Sequence, residues 1–165
     1  MQRVGDLEVG QDLDFQRREW AVQRLGWAVV ALILVAALLG LLGPGPLSRG
    51  TAEEGPLRAG YQRFERKHAP TKLRIEAAPG AAQQGQLRLW LDRRYLAGVG
   101  VQQIEPEPDR VEAAGDRVVF TFEVAEPNRP SEVVVPLEHD AWGVKTARIG
   151  LVDGPELAFR QVVYP

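Results

Sequence analysis

The chain has 165 residues, with 20 basic and 22 acidic side chains and no cysteine. The near-neutral charge argues against a nucleic-acid-binding protein, which would carry a basic excess. The lack of cysteine excludes disulfides and thiolate metal sites. The apolar residues are concentrated in one block, Leu25 to Leu42, and a single block of this kind excludes a multi-span transporter or channel.

Residues 1–24 form a polar N-terminal arm, which takes on a helical pattern from about Asp14. Asp14 and Arg18 are four residues apart, as are Glu19 and Gln23, and pairs at this spacing support a helix. This predicted helix directly precedes the apolar block, which makes it a juxtamembrane helix if that block spans a membrane, and it has two interpretations. It is either a docking helix for a cytoplasmic partner or lipid, or a solvated extension of the apolar segment that follows.

Residues 25–43 are predicted to form a single transmembrane helix. The uncharged block would extend roughly 27 Å at about 1.5 Å per residue, close to the hydrocarbon thickness of a bilayer. Trp20, Arg24 and Trp27 are expected to anchor its N-terminal end at the membrane interface. A cleaved signal peptide would have a shorter apolar region and a small-x-small site, and a soluble core helix would have a polar face. An uncleaved signal anchor is therefore favoured.

The orientation follows from the basic residues that flank this segment. Arg17, Arg18 and Arg24 precede it, and Arg49 and Arg58 follow it. The excess on the N-terminal side predicts a cytoplasmic N-terminus and an extracytoplasmic C-terminal domain in the cytoplasmic (inner) membrane.

The segment 44–70 is predicted to be a linker with a short amphipathic helix. Its first part is rich in Gly, Pro, Ser and Thr, and Leu57, Tyr61, Phe64 and His68 then follow at helical spacing. Pro70 ends the pattern, and the apolar period changes to two.

Residues 71–165 are predicted to form a β-sandwich domain, because short alternating segments are separated by turn signals. The predicted strands are 72–77, 86–92, 99–105, 110–113, 117–125, 132–138, 144–152 and 157–164. The fold class is therefore mainly β, a single transmembrane helix followed by an antiparallel, Ig-like sandwich of seven or eight strands. The immunoglobulin Cys…Trp…Cys pattern is absent, so "Ig-like" refers to architecture only. Pro136 predicts an edge strand that could accept a partner strand.

The apolar anchor and three further stretches of the sequence together resemble a known group of proteins. The three stretches are YLAGVGVQQIEPEPDRV (Tyr95 to Val111), the VVFTFEV strand and the closing FRQVVYP. In this combination the chain resembles uncharacterised bacterial single-pass membrane proteins with a small extracytoplasmic β-sandwich. The resemblance implies that architecture and no catalytic residues.

Candidate catalytic and metal-binding groups do not converge in the sequence. The two histidines are His68 and His139, and Glu138-His139-Asp140 is interpreted as a surface loop, since neighbouring strand residues point to opposite faces. Nucleotide-binding and hydrolase motifs are absent as well. We therefore expect no enzyme activity, no cofactor and no metal.

One surface feature stands out on the predicted strand 86–92. Arg88, Trp90 and Asp92 lie opposite its leucine face, and Arg93 and Arg94 follow, a mixture that is enriched in interaction hot spots. Trp90 is either an exposed interaction residue or is covered by another part of the domain.

These patterns predict a membrane-anchored, non-catalytic accessory protein. The predicted partners are membrane lipid and another membrane or envelope protein, contacted through Arg88, Trp90, Arg93, Arg94 and the Pro136 edge. The alternative is a domain that binds a small ligand or an envelope polymer at a loop end of the sandwich.

Overall fold

The apolar segment forms one continuous helix, α1 (Leu13–Leu38), in the computed structural model, which describes residues 13–40, 45 and 47–165. Its stretch Glu19–Leu38 contains 20 residues and is long and apolar enough to cross a bilayer, or to act as a signal sequence. Large side chains along it are exposed, with Leu32 at 69% and Trp27 at 68%. A helix in a soluble core would bury such side chains.

The helix ends at Leu38, earlier than the predicted Gly43. Gly40 follows with a φ of 87°, a left-handed conformation that glycine adopts readily, and its N–H donates to the Ala37 carbonyl at 3.0 Å. Residues 1–12 of the N-terminal arm lie outside the described residues, as do residues 41–44 and 46, where the predicted helix ends and the predicted linker begins.

The chain divides after Ala36 into two compact units, and the second contains the strands. Within the described residues these are β1 (Arg49–Glu54), β2 (Leu57–Gln62), β3 (Phe64–Arg66), β4 (Pro70–Ala77), β5 (Gln86–Asp92), β6 (Val99–Val101), β7 (Arg110–Ala114), β8 (Arg117–Glu123), β9 (Ser131–His139), β10 (Gly143–Leu151) and β11 (Glu156–Tyr164). A short helix, α2 (Arg93–Leu96), joins β5 to β6.

The strands form two sheets. Sheet A has the order β1-β2-β4-β9-β6, and sheet B has the order β3-β11-β10-β5-β8-β7. Every pairing among these strands is antiparallel except that of β3 with β11, which is parallel. The chain is thus mainly β, with two sheets preceded by one apolar helix.

The hydrophobic core is formed by alternate residues of the strands. In β4 the side chains of Thr71, Leu73, Ile75 and Ala77 are buried and those between them are exposed, as the period-two pattern requires. Leu73, Ile75 and Ala77 belong to one apolar cluster with inward residues of β2, β5, β8, β9, β10 and β11. Burial of this cluster is the main source of stability.

Each of the eight predicted strands corresponds to an observed strand, but the prediction of seven or eight strands was too low. The three additional strands, β1 to β3, lie in the region that was predicted to be a linker and an amphipathic helix. Leu57, Tyr61 and Phe64 have the spacing of a helix, but the buried residues of β2 alternate as in a strand, since Leu57 and Ala59 both face the core. Alanine is too small to have signalled that face.

The prediction that Pro136 lies in an edge strand was wrong. Its strand, β9, lies inside sheet A between β4 and β6. Pro136 is tolerated there because β6 ends opposite Leu137, and beyond that point the Pro136 carbonyl accepts a hydrogen bond from the Gln102 N–H at 3.0 Å. The Pro136 nitrogen points to the same side of β9 as this carbonyl, away from β4. The missing N–H therefore removes no hydrogen bond between β9 and β4.

Candidate interaction surfaces

The predicted membrane-interface residues lie on the exposed surface of α1. The Arg24 guanidinium lies 4.0 Å from the centre of the Trp20 ring, a cation–π contact. Trp27 is exposed two turns further along. An indole with a neighbouring cation is suited to the headgroup level of a membrane, so this cluster has the chemistry that the prediction requires.

Trp90 is buried, so of its two interpretations the structure supports cover by another part of the domain and contradicts an exposed interaction residue. The side chain is only 2% exposed, its indole N–H donates to the Leu151 carbonyl at 3.1 Å, and the Arg117 guanidinium covers the ring at 3.9 Å. Gly150 lies opposite Trp90 in the sheet, and a Cβ at Gly150 would lie only 2.7 Å from the indole nitrogen. The ring therefore occupies space that a glycine leaves open.

The other predicted partner-binding residues do not form one surface. Arg88, Arg93 and Arg94 are exposed, on β5 and at the start of α2. Pro136 is half-buried in sheet A, whereas β5 belongs to sheet B. The arginine cluster is therefore separated from the Pro136 strand.

Asp92 positions the start of α2. Its Oδ1 accepts a hydrogen bond from the Arg94 backbone N–H at 2.8 Å, and its Oδ2 accepts from Arg148 at 2.8 and 3.0 Å. Burial raises the pKa of Asp92, but these hydrogen bonds lower it by more, so the pKa lies below its ordinary value of 3.8. Asp92 is thus an ionised structural carboxylate.

Strand β7 presents an open edge of sheet B. It pairs with β8 on one side, and in the described part of the chain no strand pairs with its other side. All five of its residues are exposed, and Val111 is 54% exposed. Val111 lies opposite Phe120, and Ala113 lies opposite Val118. The apolar inner face of sheet B therefore continues onto β7, where its side chains are exposed and not packed in the core.

A second exposed apolar surface lies at one end of sheet B, and we call it the Trp142 patch. Val162 lies opposite Phe64 on one side and opposite Val144 on the other, so the three side chains form a row across β3, β11 and β10. Trp142 directly precedes β10. The exposed fractions are 69% for Trp142, 68% for Val144 and 41% for Val162. Exposed apolar clusters of this kind mark interaction sites.

A groove of about 490 Å³ lies on the outer face of sheet A. It is centred on Gly60, whose missing side chain leaves a gap between Thr51 and Arg74 on the neighbouring strands. Arg49 and Lys72 also line the groove. Arg74 is paired with Glu132 at 2.6 Å. The groove therefore has a basic lining that would favour an anionic ligand.

A buried polar cluster surrounds Glu65, and it was not predicted from the sequence. Oε1 of Glu65 accepts hydrogen bonds from the Thr71 hydroxyl at 3.0 Å and from Gln161 Nε2 at 2.7 Å, and Oε2 lies 2.8 Å from His139 Nε2. The Tyr95 hydroxyl donates to Gln161 Oε1 at 2.8 Å. Burial, together with the nearby charge of Glu65, raises the pKa of Tyr95.

The interpretation of His139 as part of a surface loop was wrong. The side chain is fully buried, because it is an inward-facing residue at the end of β9. The contact with Glu65 is short but poorly directed for a hydrogen bond, and Nδ1 has no hydrogen-bond partner among the described residues. The cluster is closed to solvent, so its role is to join β3, β4, β9 and β11. A signal for it was available in the alternation of β9, which places His139 in line with Leu137 and Val135.

Solved structures that match this chain include a cohesin module. The cohesin module of a family 33 glycoside hydrolase from Clostridium perfringens has a TM-score of 0.46 and 10% identity, over 68% of this chain and 98% of the module. No protein-family model matches the chain, and no curated protein sequence matches it. A similarity at this level carries no inference about partners or activity.

Proposed function

We propose that the protein is a single-pass, membrane-anchored interaction module without catalytic activity, which holds its β-sandwich outside the cytoplasmic membrane and binds a membrane or envelope protein. The open edge of β7 carries this proposal. An edge strand that is exposed along its whole length is a template for an extended segment of another chain.

The apolar side chains of β7 would be more stable in contact with such a segment than in contact with water. Val111 and Ala113 continue the apolar face that Phe120 and Val118 form on β8, and they are exposed. A partner strand that pairs with β7 would add backbone hydrogen bonds and place its own apolar side chains beside these two. Arg110 and Glu112, which are 3.6 Å apart, would lie on the outer side of the extended sheet.

The anchoring part of the proposal is supported by α1. Its stretch Glu19–Leu38 has the length and composition of a span, and the Trp20–Arg24 contact provides an interface anchor at its start. The flanking arginines favour a cytoplasmic N-terminus. A partner in the same membrane or in the adjacent envelope is then within reach of the sandwich.

The test is photo-crosslinking in intact membranes of the native host. A photoreactive amino acid at Ala113 is expected to yield one identified adduct, and the same amino acid at Thr146, an exposed position on the internal strand β10, is expected to yield none. The membranes are first washed with alkaline carbonate, and retention of the full-length chain checks the anchor.

An edge-blocking substitution makes the test specific to strand addition. Val111→Lys places a charge on the edge and should lower the yield of the Ala113 adduct at least about tenfold, because lysine on an edge strand disfavours pairing. Thr146→Lys adds the same charge elsewhere and should leave the yield unchanged. An adduct that survives Val111→Lys at full yield contradicts pairing through β7.

The groove around Gly60 favours a second candidate function, the binding of an anionic envelope polymer or small ligand. Arg49 and Lys72 have no ion-pair partner within the described ranges, and both line the groove. An acidic polysaccharide added to the full-length protein in detergent should then raise its unfolding temperature, and Lys72→Glu should abolish the increase. An equal increase in both proteins speaks against binding in this groove.

A further inference from the structure

The Trp142 patch differs from the β7 edge in position and in chemistry. It lies at the opposite edge region of sheet B, where β3 is the terminal strand. Its row of Phe64, Val162 and Val144 is flanked along the strands by Arg66 and Arg160, which are exposed on the same face of the sheet. The patch is thus an apolar surface with a tryptophan and a cationic border.

The cations around the patch have no acidic partners. Arg63, Arg66, Lys67 and Arg160 form no ion pair with any described residue, whereas the nearby Glu138 is engaged by His68 at 3.2 Å. Asp140 is the remaining exposed acid close to Trp142 in sequence. The border of the patch therefore has a positive excess.

The patch also lies where the chain enters the sandwich. The Ser48 carbonyl accepts a hydrogen bond from the Arg63 N–H at 2.6 Å, and the Ser48 hydroxyl donates to the Phe64 carbonyl at 3.3 Å. Helix α1 ends at Leu38, ten positions before Ser48 (48 − 38). A connection of this length spans at most about 35 Å even when it is fully extended.

We infer that the Trp142 patch is a membrane-contact surface, which seats the sandwich on the anionic lipid headgroups of the bilayer that α1 crosses. This inference rests on the proposed anchor and adds a second, reversible contact with the same membrane. Tryptophan favours the headgroup level, the valines enter the apolar boundary, and Arg66 and Arg160, on the same face, are directed at lipid phosphates. The short connection keeps the patch within reach of the bilayer.

The test uses single-cysteine variants, which the cysteine-free sequence permits without further substitutions. Val144→Cys reports on the patch, and Val111→Cys, an exposed valine at the other edge of sheet B, is the matched control. Each full-length protein carries a polarity-sensitive fluorophore and is reconstituted into vesicles of phosphatidylcholine with 30% phosphatidylglycerol. Lipids with a nitroxide near the headgroup act as quenchers.

The label at position 144 should be quenched at least about threefold more strongly than the label at position 111. This difference should decrease in pure phosphatidylcholine, in high salt and in the Arg66→Glu/Arg160→Glu variant, because each change weakens attraction to anionic lipid. Equal quenching at both positions in anionic vesicles overturns the inference and leaves the patch as a protein-binding surface.

Flotation of the vesicles separates this inference from the proposed function. Protein that floats without selective quenching at position 144 retains its anchor and lacks the membrane contact. Full-length protein that fails to float overturns the anchor, and the membrane-contact inference with it.

Discussion

The strand register predicts an exposed Trp90, but the side chain is buried. The register places Trp90 on the outer face of sheet B, opposite the leucines that enter the core. Its burial depends on two residues that are distant in sequence, Arg117 above the ring and Gly150 beside it. The alternation of apolar and polar residues along β5 cannot reveal that Trp90 is covered, because Arg117 belongs to β8 and Gly150 belongs to β10.

Asp92 gives a prediction at the residue scale. Because folding lowers its pKa, the carboxylate stabilises the folded state above pH 3.8, and this contribution is lost as the pH falls through the lower folded-state pKa. Asp92→Asn should therefore lower the free energy of unfolding by about 1 kcal/mol at pH 7, since one charge-assisted contact with a half-exposed arginine is lost. Denaturant titrations at pH 7 and at pH 3 measure the difference.

The difference between the two proteins should narrow at pH 3, because below pH 3.8 the unfolded state takes up a proton more readily than the folded state, whose pKa for Asp92 is lower. In an Arg148→Met background the same substitution should have a smaller effect at pH 7. A penalty that stays constant across this pH range, or that is unchanged in the Arg148→Met background, would show that the ionised Asp92 contact does not stabilise the fold.

At the scale of elements, β1 to β3 mark the limit of what the sequence reveals. The strands β5 and β8 carry a large apolar residue at every inward position, and both were predicted from this repeat. In β2 the inward positions are held by Leu57, Ala59 and Tyr61, and Gly60 lies between them. In β3 one of three residues, Glu65, is buried, and it is charged. A strand whose inward residue is a carboxylate has no apolar period to detect.

The Glu65 cluster yields a prediction at this scale. His139→Leu removes the group that lies 2.8 Å from Oε2 of the buried Glu65, so the free energy of unfolding should fall by about 1–3 kcal/mol, as is usual when a buried polar group loses its neighbour. Adding Glu65→Gln replaces the buried carboxyl group by an amide, which costs less to bury than a carboxylate, and the glutamine oxygen can still accept from Thr71 and Gln161. The double variant should therefore be more stable than His139→Leu alone, as urea unfolding followed by far-UV circular dichroism would measure.

Glu138→Gln is the matched control, because Glu138 is the neighbouring carboxylate and its contact with His68 is largely exposed. Its effect should stay within about 0.5 kcal/mol, as is usual for exposed pairs. If the double variant is no more stable than His139→Leu, the buried carboxyl group of Glu65 is not the cause of the instability.

For the whole molecule, the sequence predicted the class of the fold and the place of the apolar helix but not the interaction surfaces. The helix and the eight strands follow from patterns that are local in the chain. The β7 edge and the Trp142 patch depend on the order of strands in sheet B, which brings Phe64 beside Val162 and leaves β7 terminal. Residues far apart in sequence create both surfaces, so no single segment carries their signal.

The position of β11 within sheet B has a consequence for how the domain is made. β11 is the most C-terminal strand, yet it lies between β10 and β3, and its pairing with β3 joins Val162 to Phe64, 98 positions earlier (162 − 64). Sheet B therefore cannot close until nearly the whole sequence has left the ribosome or the translocation channel. Contacts of such long range form slowly. With the topology proposed above, the sandwich would stay unfolded, and able to thread through a narrow channel, while it is transferred across the membrane.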